Sequence, residues 1–131
     1  GRLYLDGGIS DPIPFRQAAA DGFPRRVVVL TRNRGFRKPV PGAAHRVAIR
    51  WKYRHFPALA AAVERQSETY NRQLDELDAE EAAGRALVIR PSRPLAVGRY
   101  SQDRTQLERL YQNGWADAEA VLPQLRDFLS P

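Results

Sequence analysis

The sequence contains no cysteine and no methionine, and its only histidines are His45 and His55. The lack of cysteine excludes disulfides, thiolate metal sites and a cysteine nucleophile. Two separated histidines do not have the ligand spacing of a zinc site, so we expect neither metal nor cofactor. No apolar run approaches the length of a membrane span, and no signal-peptide pattern opens the chain, which favours a cytoplasmic location.

Charge is unevenly distributed along the 131 residues, whose formal net charge is +6. Residues 1–56 hold twelve Lys or Arg and three Asp or Glu, whereas residues 57–131 hold nine and twelve. This asymmetry indicates a basic face and an acidic partner such as phospholipid or nucleic acid. A solvated basic surface without a partner explains the same numbers equally well.

Hydrophobic periodicity predicts an α/β fold in which a sheet is layered between helices. The β-branched run at 26–31 is typical of a strand buried on both faces of a parallel sheet. Asn113-Gly114 is expected to divide the last helical segment in two, and Pro123 to kink its second half. The predicted elements are a strand at 1–5, a short helix at 14–20, the strand at 26–31, helices at 43–54 and from 57 to Gly84, a strand at 86–90, and two helices between 107 and 129.

The longest predicted helix, which begins at Pro57, has one apolar stripe. Its spacing of three and four residues predicts a face packed into the core, with Gln66 as the one polar exception. The stripe residues are Leu59, Val63, Gln66, Tyr70, Leu74 and Leu77.

Asp6 and the two glycines after it, Gly7 and Gly8, follow the first predicted strand directly. In α/β proteins the catalytic groups lie at the carboxyl ends of strands, which is where Asp6 is placed. The glycines allow a tight turn and close approach of a ligand. A carboxylate held there can act as the general base for a hydroxyl nucleophile. Asp-Gly-Gly alone is more often a plain structural turn.

Several stretches in order along the chain resemble one bacterial branch of the patatin-like phospholipases. The resemblance implies that residues 1–131 are the C-terminal part of a three-layer α/β/α hydrolase of lipid or carboxylic esters, with 1–42 as a sheet portion and 43–131 as a helix-rich portion with one further strand. It also implies that Asp6 is the aspartate of a Ser–Asp dyad, supported by Gly7 and Gly8. The stretches are Tyr4-Leu5-Asp6-Gly7-Gly8, Ile9-Ser10-Asp11-Pro12-Ile13-Pro14, Val29-Leu30-Thr31-Arg32, Gly35-Phe36-Arg37-Lys38, Tyr70-Asn71, Val88-Ile89-Arg90-Pro91 and Leu110-Tyr111-Gln112-Asn113-Gly114.

The nucleophile of that family is missing from this sequence. It lies in Gly-x-Ser-x-Gly, and none of the five serines here has that context. Ser10 comes nearest, but Pro12 stands where the last glycine should be. The glycine-rich oxyanion segment is absent as well. Because the family carries both upstream of the aspartate, we expect an N-terminal remainder of the same protein as a partner and no hydrolysis by this chain alone.

The predicted helix at 43–54 combines basic and aromatic residues. Arg46, Arg50, Trp51 and Arg54 suit peripheral contact with an anionic membrane. The alternative is a helix that packs Trp51 into the core and leaves its arginines in solvent. A different class of function is therefore also open, a non-catalytic basic domain that docks on anionic lipid or nucleic acid. No nucleic-acid-binding motif is present, so no specific nucleic acid is expected.

Overall fold

The computed structural model describes residues 4–95, 97–98 and 101–130. They form two compact units, and each unit is built from two separate segments of the chain. The first comprises the described residues of Gly1–Gly22 and Arg37–Glu80, and the second those of Phe23–Phe36 and Glu81–Pro131. Helices and a small parallel sheet make up the chain, so the predicted α/β class is confirmed at this level.

Helices make up the first unit. A short 3₁₀ helix spans Gly7–Ile9, and the α-helices are α1 (Phe15–Ala20), α2 (Ala43–Lys52) and α3 (Pro57–Ala82), whose last two residues belong to the second unit. Proline suits the first position of α3, because the N–H that it lacks would have no partner within the helix. The buried apolar side chains of this unit are Ile13, Phe15, Ile49, Ala60, Leu74 and Leu77.

Polar side chains of α3 bind Arg37 and Lys38, in the segment that precedes α2. The Asn71 amide accepts a hydrogen bond from the Lys38 N–H at 2.8 Å and donates one to the Lys38 carbonyl at 2.9 Å. Arg37 forms an ion pair with Asp75, one turn further along the helix. Both backbone groups of Lys38 are therefore satisfied without a neighbouring strand.

The second unit contains the sheet and the last helix. Strands β1 (Arg26–Val29) and β2 (Ala86–Ile89) pair in parallel, with Arg26 opposite Ala86 and Val29 opposite Ile89. A parallel pair needs a long crossover connection, which residues 30–85 provide. Helix α4 (Arg104–Leu129) contacts β2.

One carboxylate joins three segments of the second unit. Glu81, at the end of α3, forms ion pairs with Arg34 in the loop after β1 and with Arg90 just beyond β2. The Arg90 side chain is largely buried, and its distance to the carboxylate is 2.8 Å. Removing one partner of such a sheltered pair leaves an uncompensated charge, so the pair fixes the loop geometry at this end of the sheet.

The prediction that the run at 26–31 is buried on both faces is wrong. Val29 is 70% exposed and Val27 is exposed too, while Val28 is half-buried and Leu30 is buried just after the strand ends. The physical reason is the size of the sheet: among the described strands β1 pairs with β2 alone, and α4 packs mainly against β2. The alternate residues Val27 and Val29 consequently face solvent.

Helix α4 is one continuous helix of 26 residues, so the predicted division at Asn113-Gly114 is wrong. The backbone of Gly114 has no positive φ, and the helix passes through Pro123 as well. The Asp103 side chain caps the N-terminus by accepting from the N–H groups of Thr105 and Gln106. The cap at Asp103 and the helix-forming residues on either side of the glycine outweigh its local preference for a break.

Two other boundaries differ from the sequence-based expectation. Tyr4 and Leu5 have no regular secondary structure and are exposed, while the rest of the strand predicted at 1–5 lies outside the described residues. Within this chain a strand at 4–5 has no described partner, and an unpaired strand gains no ladder hydrogen bonds. Helix α2 ends at Lys52, two residues earlier than predicted.

Two glycine replacements test the continuity of α4. We expect Gly114→Ala to raise the free energy of unfolding by about 0.5–1 kcal/mol, because alanine is the better helix former and a Cβ there meets nothing within 4 Å. Gly84, which ends α3 with a φ of +71°, is the matched control. Gly84→Ala should lower stability by about 1–2 kcal/mol. Chemical denaturation measures both, and destabilisation by Gly114→Ala would contradict a continuous helix.

Candidate functional site

Asp6 lies at the N-terminus of the 3₁₀ helix and orients its own carboxylate. Its Oδ1 accepts a hydrogen bond of 2.8 Å from the Gly8 N–H, and the residue is exposed. A Cβ on Gly8 would lie 3.3 Å from Oδ1, whereas a Cβ on Gly7 would meet nothing within 4 Å. Gly8 is therefore the glycine that gives the carboxylate room, and the structure brings Asp6, Gly7 and Gly8 together as one turn.

Ser10 ends the same turn. Its hydroxyl donates to the Gly7 carbonyl at 3.1 Å, and its backbone N–H bonds to the same oxygen. No strand precedes this serine among the described residues, so it does not lie on the strand-to-helix elbow that presents a nucleophile.

Two glutamines of α3 position the segment that follows Asp6. The Gln66 side chain donates to the Gly8 carbonyl at 2.7 Å. Gln73 is 2% exposed; its Oε1 accepts from the Ile13 N–H at 3.1 Å, and its amide nitrogen donates to the Asp11 carboxylate. Sequence reasoning treated Gln66 as an exception and overlooked Gln73. Their spacing of seven residues places both amides on one face of the helix. This spacing is the sequence feature that could have indicated a shared role for the two glutamines.

Helix α2 is oriented with its arginines toward α3. Arg50 donates two hydrogen bonds to Glu64, at 2.6 and 3.0 Å, and Arg46 lies 3.7 Å from Glu68. Trp51 is 72% exposed. The alternative that buried Trp51 in the core is therefore wrong, because the carboxylates of α3 pair with the basic face of α2 and Ile49 provides its buried contact.

The Arg50–Glu64 pair changes the protonation of the glutamate. Hydrogen bonds from Arg50, with its positive charge, lower the pKa of Glu64 below the usual value. A carboxyl group whose pKa is lower in the folded state stabilises the fold above its unfolded pKa of about 4.3. This contribution is lost as the pH falls through the lower folded-state pKa, so α2 is held on α3 at neutral pH.

The outward side of α2 is apolar and has basic neighbours. We name Ala44, Val47, Ala48 and Trp51 the α2 outer surface; all four residues are exposed. The Arg54 guanidinium lies 5.6 Å from the centre of the Trp51 ring. Ten Lys or Arg and no Asp or Glu occur between Asp21 and Glu64. Of the four predicted contact residues, Trp51 and Arg54 thus remain at the surface, whereas Arg46 and Arg50 are engaged with carboxylates.

Metal and membrane-span sites are not found in the part of the chain that the structure describes. No group of three His, Cys, Asp or Glu side chains there is arranged to hold a metal ion. His45 and His55 are both exposed. None of the described helices has both the length and the apolar character needed to cross a membrane.

Comparison with known proteins identifies a family. Residues 56–130 match the family described as "Domain of unknown function (DUF6363)", and this is more than half of the chain. The chain therefore belongs to that family. The matched region contains α3, β2 and α4, whereas Asp6 and α2 lie outside it. No curated protein and no solved structure matches the chain.

The buried amide of Gln73 gives a direct test of how the turn is held. We expect Gln73→Ala to lower the free energy of unfolding by about 1–3 kcal/mol, because the Ile13 N–H loses its acceptor inside the protein. Arg72→Ala, at the exposed neighbouring position of α3, is the control and should change stability by less than about 0.5 kcal/mol. Chemical denaturation measures both variants, and equal effects would mean that the buried amide does not hold the segment.

Proposed function

We propose that this chain is the aspartate-bearing C-terminal part of a patatin-like serine acyl hydrolase that acts on lipid or carboxylic esters. The intact protein would have the three-layer α/β/α fold. The observation that carries the proposal is the Asp6 carboxylate, which is exposed and oriented by the Gly8 N–H through one oxygen. Its second oxygen has no hydrogen-bond partner among the described residues and is free to accept a proton.

The proposed mechanism is acyl transfer in two steps. Asp6 accepts the proton of a serine hydroxyl, and the serine oxygen bonds to the ester carbonyl carbon. The ester C–O bond then breaks, and the alcohol leaves with the proton that Asp6 returns to it. Asp6 then accepts a proton from water, whose oxygen bonds to the acyl carbon, and the carboxylic acid is released as the serine recovers its proton. The nucleophile and the oxyanion donors belong to the N-terminal remainder of the protein, so this chain alone is inactive.

The support for this function comes from residues 4–14 and the turn, not from the family. The family match begins at residue 56 and its description names no activity, so membership neither adds to nor limits the proposed chemistry. The turn is compatible with a general base because Gln66 and Gln73 fix the backbone on its C-terminal side. A catalytic base needs such support, since small displacements of the group are costly to the rate.

Replacement of the aspartate in the intact protein tests the proposal. Asp6→Asn should reduce ester hydrolysis about 10²- to 10⁴-fold, because the amide cannot accept the serine proton. Turnover of a p-nitrophenyl ester and labelling by a fluorophosphonate both measure the effect. Asp21→Asn is the control, since Asp21 is exposed and its carboxylate only accepts from Gln17. Retained turnover in a folded Asp6→Asn protein would overturn the role of Asp6.

The two glycines provide a second arm of this experiment. Gly8→Ala places a Cβ against Oδ1 of Asp6 and should lower kcat, whereas Gly7→Ala has open space and should not. If both variants kept an activity close to that of wild type, the geometry of this turn would not matter for catalysis.

A second function, docking on an anionic lipid surface, is supported by the α2 outer surface. Its exposed tryptophan lies beside Arg54, in a stretch of chain without a carboxylate between Asp21 and Glu64. Amphipathic helices with a basic side and an exposed Trp bind at the headgroup level of bilayers. This function needs no catalytic residue and is compatible with either an active or an inactive protein.

Vesicle binding tests the docking function. Sedimentation of the full chain with phosphatidylserine-containing vesicles should show binding that weakens as salt is raised. Trp51→Ser should weaken it about tenfold, because insertion of a large apolar side chain contributes about 1.5–3 kcal/mol. Trp115→Ser is the matched control, since Trp115 is 57% exposed on α4. Vesicle binding that Trp51→Ser leaves unchanged would exclude docking on lipid by this surface. Binding to DNA without any binding to vesicles would exclude it as well.

A further inference from the structure

A cavity of about 460 Å³ lies in the second unit, between the segment after β2 and helix α4. Its walls come from Pro91–Leu95 and Val97 on one side and from the α4 residues between Gln106 and Asp117 on the other. The volume is within the range of about 300–1,000 Å³ that ligand sites occupy. All of its lining residues belong to one unit, so the cavity is formed within that unit.

The walls combine apolar side chains with two unpaired guanidinium groups. Neither Arg93 nor Arg109 forms an ion pair or hydrogen bond among the described residues. Arg16, Arg34, Arg37 and Arg50, by contrast, pair with carboxylates. The apolar lining residues are Pro91, Pro94, Leu95, Val97 and Leu110. A ligand with an apolar body and an anionic end matches both kinds of wall.

Gly114 provides part of the space. It lies in the middle of α4, where glycine costs about 1 kcal/mol relative to alanine. Neither backbone conformation nor packing requires glycine here, because its φ is not positive and a Cβ would meet nothing within 4 Å. The missing side chain widens the cavity that Gly114 lines. A ligand that occupies this space gives a physical reason for the glycine.

The charges of the lining select the charge of the ligand. Asp117 also lines the cavity, where its carboxylate accepts from the Ser92 N–H at 3.0 Å. Among the described lining residues, two arginines and one aspartate give a net charge of +1. A monoanion neutralises this charge, whereas a dianion leaves an excess negative charge beside Asp117.

We propose that this cavity binds a small amphipathic monocarboxylate, with its carboxylate at Arg93 and Arg109 and its apolar end beside Leu110 and Gly114. The proposal goes beyond ester hydrolysis and does not depend on it, since Asp6 belongs to the other unit and no lining residue takes part in the proposed chemistry.

Calorimetry with decanoate on the full chain tests this site. We expect saturable one-to-one binding of decanoate, at least tenfold weaker binding of decanol, and weaker binding of decyl phosphate in its dianionic form. Arg109→Gln should weaken decanoate binding at least tenfold, and Gly114→Leu should weaken it to a similar extent by occupying the space proposed for the apolar end. Arg126→Gln, an exposed arginine on the same helix, is the matched control and should bind as wild type does.

Three results would overturn the proposal. Decanol that binds as tightly as decanoate would exclude carboxylate recognition by the two arginines. Undiminished decanoate binding by a folded Gly114→Leu protein would place the ligand elsewhere, for example on exposed apolar surface. A lack of saturable binding by the wild-type chain would exclude the site. Circular dichroism of each variant separates loss of binding from loss of folding, and failure at this site leaves the test of Asp6 unaffected.

Discussion

The buried amide of Gln73 is the interaction on which the first unit depends. An amide has both a donor and an acceptor, and in an apolar setting each must be satisfied or the group becomes strongly unfavourable. Here the amide meets these needs with the Ile13 N–H and the Asp11 carboxylate, 60 and 62 residues away in sequence. Gln66 and Asn71 act in the same manner toward Gly8 and Lys38. Helix α3 therefore fixes two irregular segments, 8–13 and the one at Lys38, through directional hydrogen bonds. Apolar packing alone is less directional and would fix their positions less strictly.

The same helix determines which side of α2 remains accessible. Glu64 and Glu68 lie one turn apart on α3 and pair with Arg50 and Arg46, which are likewise one turn apart on α2. The matched spacing pairs Arg46 and Arg50 with α3 at the surface, and Trp51 is left exposed without such a pairing. Acidic residues in the second half of the chain thus neutralise part of the basic first half. The net charges of the two halves therefore overstate the positive charge available to a partner.

Sequence reasoning succeeded where the pattern was long or repeated. The strand predicted at 86–90 and observed at 86–89, the parallel sheet, and α3 from Pro57 all followed from sequence pattern and from turn residues. The errors have specific physical causes. Gly114 was weighed as a local break, although the Asp103 cap and the helix-forming residues of a 26-residue helix outweigh it. Trp51 was ambiguous because apolarity does not reveal which side of α2 the carboxylates of α3 will pair with. Asp6 was singled out by its turn and by a family resemblance. Gln73, which holds Ile13 and Asp11 after that turn, was overlooked although its spacing of seven residues from Gln66 places both amides on one face of α3.

The interleaved order of the two units has a consequence for folding kinetics. Strand β1 meets β2 only after residues 30–85 have been brought into a closed connection, and that connection contains most of the first unit. The entropy of closing a flexible loop rises with its length, but a segment that is already helical and compact spans the same gap with far fewer conformations to lose. Early formation of α2 and α3 therefore shortens the effective loop. We thus expect the sheet to form late, and its exposed side at Val27 and Val29 to be open to wrong pairing until it does.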